Sequence, residues 1–151
     1  MALNLIDELK HITACLEQAG VTHALCGGLA LAVHGAARAT TDIDLLIHTA
    51  QVDAALRAAR SVGYRFEAAP MVFSDGMQIR RITKVIDGEA VTLDLILEQP
   101  NLANVLANRE RVPLDDAHLW VVSRAGLIEM KLASSRPQDQ ADVARLIELD
   151  R

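Results

Sequence analysis

Thr41-Asp42-Ile43-Asp44-Leu45-Leu46-Ile47-His48 is the stretch on which the reading of this chain turns. Side chains along a strand alternate between two faces, so Asp42 and Asp44 share one face while Ile43, Leu45 and Ile47 take the other. The aliphatic face is apolar enough to be core. A second stretch, Ala90 to Leu97, repeats the pattern: Leu93, Leu95 and Leu97 line one face, and Asp94 points the other way with Thr92 and Ile96. If the two strands are sheet neighbours, three carboxylates converge. Clustered carboxylates repel one another and lose hydration, which is costly without cations. Magnesium suits such a set because it takes oxygen ligands and is readily shared with phosphates. Two such ions about 4 Å apart can orient an attacking oxygen and steady a leaving one in phosphoryl or nucleotidyl transfer. The competing reading is an exposed strand decorated with acids.

Working outward, Leu5, Ile6, Leu9, Ile12, Cys15 and Leu16 recur at helical spacing over Asn4 to Gln18, which Gly20 stops. His23 to Cys26 reads as a strand that runs into Gly27-Gly28 and a short alanine-leucine helix ending at Gly35. A helix follows the acid strand from Gln51 to Ser61, and short strands are expected at Tyr64 to Glu67 and Met71 to Ser74. Asp87-Gly88 is a strong hairpin signal between strands Gln78 to Ile86 and Ala90 to Leu97. Pro100 to Asn108 suits a short helix, and Arg111 to Leu114 and His118 to Val122 suit edge strands. Ser123 caps a helix from Arg124 to Ala133, and Pro137 starts another that runs to Leu149. Strands and helices mix without regular βαβ alternation. The expected fold class is therefore α+β: a small mixed sheet with helices mainly on one face, plus C-terminal helices.

The chain has 151 residues, which fits one domain spanning residues 1–151, and 51% of them are hydrophobic, enough for a core. Aromatics are only 3%, namely Tyr64, Phe66, Phe73 and Trp120, so no row of stacking rings for single strands is available. A formal net charge of -5 argues against coating nucleic acid by bulk charge. Two cysteines, Cys15 and Cys26, make neither a disulfide framework nor a zinc site. Asp7 and Glu8 stand where a signal peptide needs apolar residues, and the longest nearly apolar run, Ala24 to Val33, falls far short of a bilayer span. The expectation is a soluble protein of the cytoplasm with no membrane partner.

Gly27-Gly28 closes a strand and opens a helix, where backbone N–H groups and the helix dipole attract an anion and glycine allows close approach to a triphosphate. A glycine pair alone is more often a turn. Here it precedes Asp42 and Asp44 by one short helix and loop, so a phosphate cradle and metal ligands could meet. Leu25-Cys26-Gly27-Gly28, then Arg38-Ala39-Thr40-Thr41-Asp42-Ile43-Asp44, with Asp94 on a later strand, resembles the nucleotidyltransferase superfamily with the polymerase-beta-like fold. The Gly27 to Gly35 run and the late Lys131 to Asp142 segment resemble the minimal bacterial members near the AbiEii abortive-infection toxins.

The resemblance implies that Gly27 and Gly28 touch nucleotide phosphates and that Asp42 and Asp44 hold two Mg2+ ions, with Mn2+ an alternative. Asp94 would complete the metal site and help activate the attacking hydroxyl. It also implies a toxin-antitoxin or phage-defence setting, with an antitoxin as a partner. Gly28 stands where other members carry serine, so one side-chain phosphate contact is missing. The expectation is a single domain without a separate RNA-binding one, so a large RNA acceptor would need a partner or a second subunit, and a homodimer stays open.

Arg38 and Thr40, just before the acid strand, can meet phosphate or can be plain loop residues. His34 suits capping or packing better than catalysis, since carboxylates already supply a base. Lys131 lies among Leu127, Ile128 and Leu132, an unusual place unless its ammonium reaches a partner or phosphate. Asp139 and Asp142 share a helix face and suit a structural pairing with it. Arg80, Arg81 and Lys84 form a basic cluster; Arg80 and Lys84 share a face that could contact acceptor or nucleotide, and the more ordinary explanation is protection of an edge strand. The leading reading is an enzyme that moves a nucleoside monophosphate from an NTP to a hydroxyl of an RNA, protein or small molecule. The alternatives are a non-catalytic nucleotide-binding or regulatory module of the same fold, and a structural protein with surface acids.

Overall fold

Asn4 begins the fold by capping α1 (Leu5–Gln18): its side chain accepts from the N–H groups of Ile6 and Asp7 at 3.0 and 3.1 Å. Such a cap contributes about 1 kcal/mol. The structure, a computed structural model, describes residues 4–36, 39–133 and 137–149. After α1 come β1 (His23–Cys26), α2 (Gly27–Val33), β2 (Asp42–Ile47) and α3 (Val52–Ser61). Then follow β3 (Phe66–Glu67), β4 (Met71–Val72), β5 (Gln78–Ile86) and β6 (Glu89–Leu97). The chain closes with α4 (Ala103–Ala107), β7 (Glu110–Leu114), β8 (Ala117–Val121), α5 (Arg124–Leu132) and α6 (Pro137–Glu148). The result is the α+β class the sequence implies, built on a mixed eight-stranded sheet in the order β3-β5-β6-β2-β1-β8-β7, with β4 also on β5.

Register makes the two acid strands neighbours. β2 and β6 run parallel, with Asp42 opposite Thr92 and Asp44 opposite Asp94. β1 lies antiparallel on the other side of β2 and sets Cys26 opposite Asp44. The hairpin of β5 and β6 turns at Asp87 and Gly88, both at positive φ (52° and 81°), the backbone that a tight two-residue turn demands. That turn sets Arg81 opposite Asp94. One crosswise row therefore reads Arg81, Asp94, Asp44, Cys26.

The opposite face is the core. Ile43, Leu45, Ile47, Leu93, Leu95 and Ile82 are buried there with Leu9, Ile12 and Leu16 of α1. Tyr64 is the largest fully buried side chain; the rest of the core is mainly aliphatic. β3 and β4 are shorter than their sequence suggests, two residues each, and Tyr64, expected at the start of β3, lies in the core. Pro113 sits in β7, which is an edge strand, so its missing N–H breaks no inner ladder.

Lys84 departs from expectation. β5 is paired on both sides, by β6 and by β3 and β4, so its cations do not guard an open edge. Lys84 instead reaches under α1, with Nζ 2.9 Å from Glu8 Oε1 and donating to the Val62 carbonyl at 2.9 Å.

Candidate functional site

Strand alternation puts Asp42, Asp44 and Asp94 on one face, and the start of α2 lies over it. A Cβ added to Gly27, whose φ is +70°, would fall on Asp44 Oδ2. A Cβ on Gly28 would meet Thr40 Cβ at 2.9 Å. The glycine pair is therefore obligatory here because the acid strand and its lead-in loop press against it. Cys26 at the N-cap makes no side-chain capping bond, so the first turn of α2 is not closed by its own cap.

Thr40 binds the backbone of the acid strand: its Oγ1 accepts from the Asp42 N–H at 3.4 Å. Thr41 Oγ1 donates to Asp42 Oδ1 at 3.3 Å. Gly27, Gly28, Thr40, Asp42 and Asp44 thus come together at one corner of the sheet. Arg38 lies outside the described residues.

Asp94 is the most enclosed of the three acids, 5% exposed. Arg81 grips it with both arms: Nε donates to Oδ1 at 2.7 Å and an Nη donates to Oδ2 at 3.0 Å. The bond and charge of Asp94 hold the Arg81 guanidinium protonated above its ordinary range, and Asp42 and Asp44 add to that. All three acids thus act on the Arg81 guanidinium. Sequence reasoning placed Arg81 in a generic basic cluster and missed this partnership. The signal was available: a two-residue turn at Asp87-Gly88 pairs Ile86 with Glu89, and counting back pairs 81 with 94.

Cys26 ends the row, and its thiol is pushed well above the usual range, first by burial and then by the Asp44 charge, while Lys131 pulls it back. The Lys131 ammonium is engaged, donating to Asp139 Oδ1 at 3.2 Å and Asp142 Oδ2 at 3.0 Å, with all three residues buried. Lys131 therefore joins α5 to α6 through a buried ion pair. His34 Nε2 pairs with the Val122 carbonyl at 2.9 Å, a packing bond between α2 and the end of β8.

The donor chemistry suits a hard divalent cation: three carboxylates share a face beside a glycine cradle that any Cβ would fill. As they stand, no three His, Cys, Asp or Glu side chains among the described residues gather tightly enough to hold a metal. In the row, the Asp94 carboxylate is held by Arg81. Asp42 and Asp44 carry oxygens of the kind such an ion takes, while both oxygens of Asp94 are engaged by Arg81.

Residues 3–148 match the family described as nucleotidyltransferase of unknown function, DUF6036. No curated protein matches. Among solved structures, a nucleotidyltransferase from Thermotoga maritima is similar over 97% of this chain and 93% of its own, at 17% identity and a TM-score of 0.66. The lincosamide antibiotic adenylyltransferase LnuA, bound to lincomycin, is similar over 95% and 96%, at 14% identity and a TM-score of 0.57. The antibiotic-resistance factor ANT(2'')-Ia is similar over 95% and 82%, at 11% identity and a TM-score of 0.63. At these identities the likeness is one of fold. No helix among the described residues is long and apolar enough to cross a membrane.

Proposed function

The chain belongs to this nucleotidyltransferase family and is a transferase of that type, and we propose that it moves a nucleoside monophosphate from an NTP to the hydroxyl of a small molecule. The observation that carries this reading is the shared face of Asp42, Asp44 and Asp94 on adjacent strands beneath the glycine pair. Magnesium held by Asp42 and Asp44, and joined by Asp94, would neutralise triphosphate charge and favour ionisation of the attacking hydroxyl; Mn2+ would serve the same ligands. Gly27 and Gly28 let phosphate oxygens approach the backbone, and Thr40 offers a hydroxyl beside them. Asp94 takes the acceptor's proton as the acceptor oxygen bonds to the α-phosphorus and pyrophosphate leaves. The protein's contribution is mostly placement and charge, with no covalent intermediate on the chain.

A small acceptor fits the rest of the face. Beyond Arg81 the alternation continues with Ile79, Thr83 and Val85, and register sets Phe66, 63% exposed, opposite Thr83. This is an apolar flank, not the basic stripe a nucleic acid requires. The antibiotic adenylyltransferases of similar fold support the same class. An RNA or protein acceptor would draw on a partner or a second copy of the chain.

The test is incubation of the protein with each α-labelled NTP, Mg2+ or Mn2+, and separate pools of small molecules, RNA and protein. Label should pass to the small-molecule pool, and Asp44→Asn should lower transfer by at least about a hundredfold, the scale at which one electrostatic group in an active site acts. Nucleotide binding without transfer to any pool would leave a nucleotide-binding module. The toxin setting implied by the sequence resemblance has its own assay: induction of the wild type, and not of Asp44→Asn, should arrest growth.

A further inference from the structure

We propose that Arg81 is a positioning residue of the transfer site, clamping Asp94 in the unloaded chain and competing with the divalent cation for that carboxylate. The inference rests on the reading of Asp42, Asp44 and Asp94 as metal ligands. Both Asp94 oxygens are taken, at 2.7 and 3.0 Å, by a fork-shaped donor that matches a carboxylate in two places. The carboxylate so held is the one that the ladder sets opposite Asp44.

The clamp is set by the backbone. The tight turn at Asp87-Gly88 fixes 81 against 94 over nine paired positions, so the contact is not a chance meeting of two surface chains. Its two ends differ in freedom. The Asp94 side chain is 8% exposed and fixed in the sheet, whereas that of Arg81 is 43% exposed on a long flexible stem. Arg81 is the member that can leave.

Electrostatics explains why a clamp sits here. Three carboxylates on adjacent strands repel one another in the absence of a cation. The guanidinium supplies one positive charge to the row, attached to the chain and present before any ion arrives. A divalent ion brings more charge and can touch two or three carboxylates at once, so it displaces the arginine once nucleotide helps to hold it. The freed guanidinium keeps a fork that fits phosphate oxygens as well as a carboxylate. Exchange of Arg81 for metal thereby couples ligation by Asp94 to nucleotide loading.

The test uses the whole chain and Mn2+ alone, with free Mn2+ followed by electron paramagnetic resonance. Arg81→Gln should bind Mn2+ at least tenfold more tightly than wild type, and the gain should vanish in Arg81→Gln/Asp94→Asn. Arg81→Lys, which keeps the charge and loses the fork, should fall between and serves if the glutamine variant does not fold. Unchanged or weaker Mn2+ binding by a folded Arg81→Gln overturns the clamp, as does absence of Mn2+ binding in every variant. Label transfer by wild type without tightening in Arg81→Gln sinks the clamp and leaves the transfer reading standing. Tightening without label transfer under any condition does the reverse.

Discussion

β5 sends two cations in opposite directions, and their fates differ. Lys84 enters the aliphatic face and meets Glu8 Oε1 at 2.9 Å, Glu8 Oε2 at 3.1 Å, the Val62 carbonyl and the Tyr64 ring at 5.8 Å. The Tyr64 hydroxyl donates to Glu8 Oε1 at 3.3 Å, and burial with the Glu8 charge pushes that phenol well up. Arg81 enters the acid face and holds Asp94 with two hydrogen bonds, with much of its side chain in water. Both are cation–carboxylate pairs of good geometry. The number of partners and the cover above them decide that the first is a fixture and the second can open.

The largest effect should come from breaking the closed pair. The side chains of Lys84 and Glu8 are 13% and 7% exposed, so Lys84→Ala leaves a buried carboxylate without its cation. A loss of about 3–5 kcal/mol of stability is expected, as for other buried pairs cut on one side. Urea unfolding followed by far-ultraviolet circular dichroism measures it, and the double variant Glu8→Gln/Lys84→Met should recover much of the loss. A cost under about 1 kcal/mol for Lys84→Ala would erase the distinction between the two faces.

The open pair should respond far less in stability. Arg81→Gln keeps an amide donor near Asp94 and lets water reach the carboxylate that the arginine covered. Screening at a side chain 43% exposed limits the expected loss to about 1 kcal/mol. Mg2+ should narrow the gap, raising the unfolding midpoint of Arg81→Gln more than that of wild type. Equal losses from Lys84→Ala and Arg81→Gln would make both pairs structural.

Much of the acid face was legible from alternation alone. Asp42, Asp44 and Asp94 were readable as sharing a face because two strands carry aliphatics on one side and acids on the other, and the register joins them. The partner of Asp94 was also within reach, since a two-residue turn fixes every pair behind it. Lys84 and Glu8 were not legible: they lie 76 positions apart, and only the docking of α1 over the sheet brings them together. Lys131 shows the same limit. Its place on an apolar stripe marked it as needing a partner, but whether that partner was a phosphate or the acids of α6 depends on how two helices pack, which spacing does not specify.

The smallest effect concerns His23, which shares the aliphatic face with Lys84 and is 2% exposed. Its Nδ1 pairs with the Val21 carbonyl at 3.0 Å. Burial lowers its pKa below the usual 6.5; the Val21 bond and the Glu17 charge oppose this, and Arg109 adds to it. Above pH 6.5 the ring is neutral in both folded and unfolded chains, so its contribution to stability is complete there. As the pH falls below 6.5 the unfolded chain takes up the proton first, and stability is lost down to the folded pKa. One proton sets a ceiling of about 1.4 kcal/mol per pH unit on that slope. Unfolding midpoints at pH 7.5 and 5.5 should therefore differ more for wild type than for His23→Gln. An identical pH dependence in the two would mean that water reaches this face after all, and the contrast between a dry lock and a wet latch would lose half its basis.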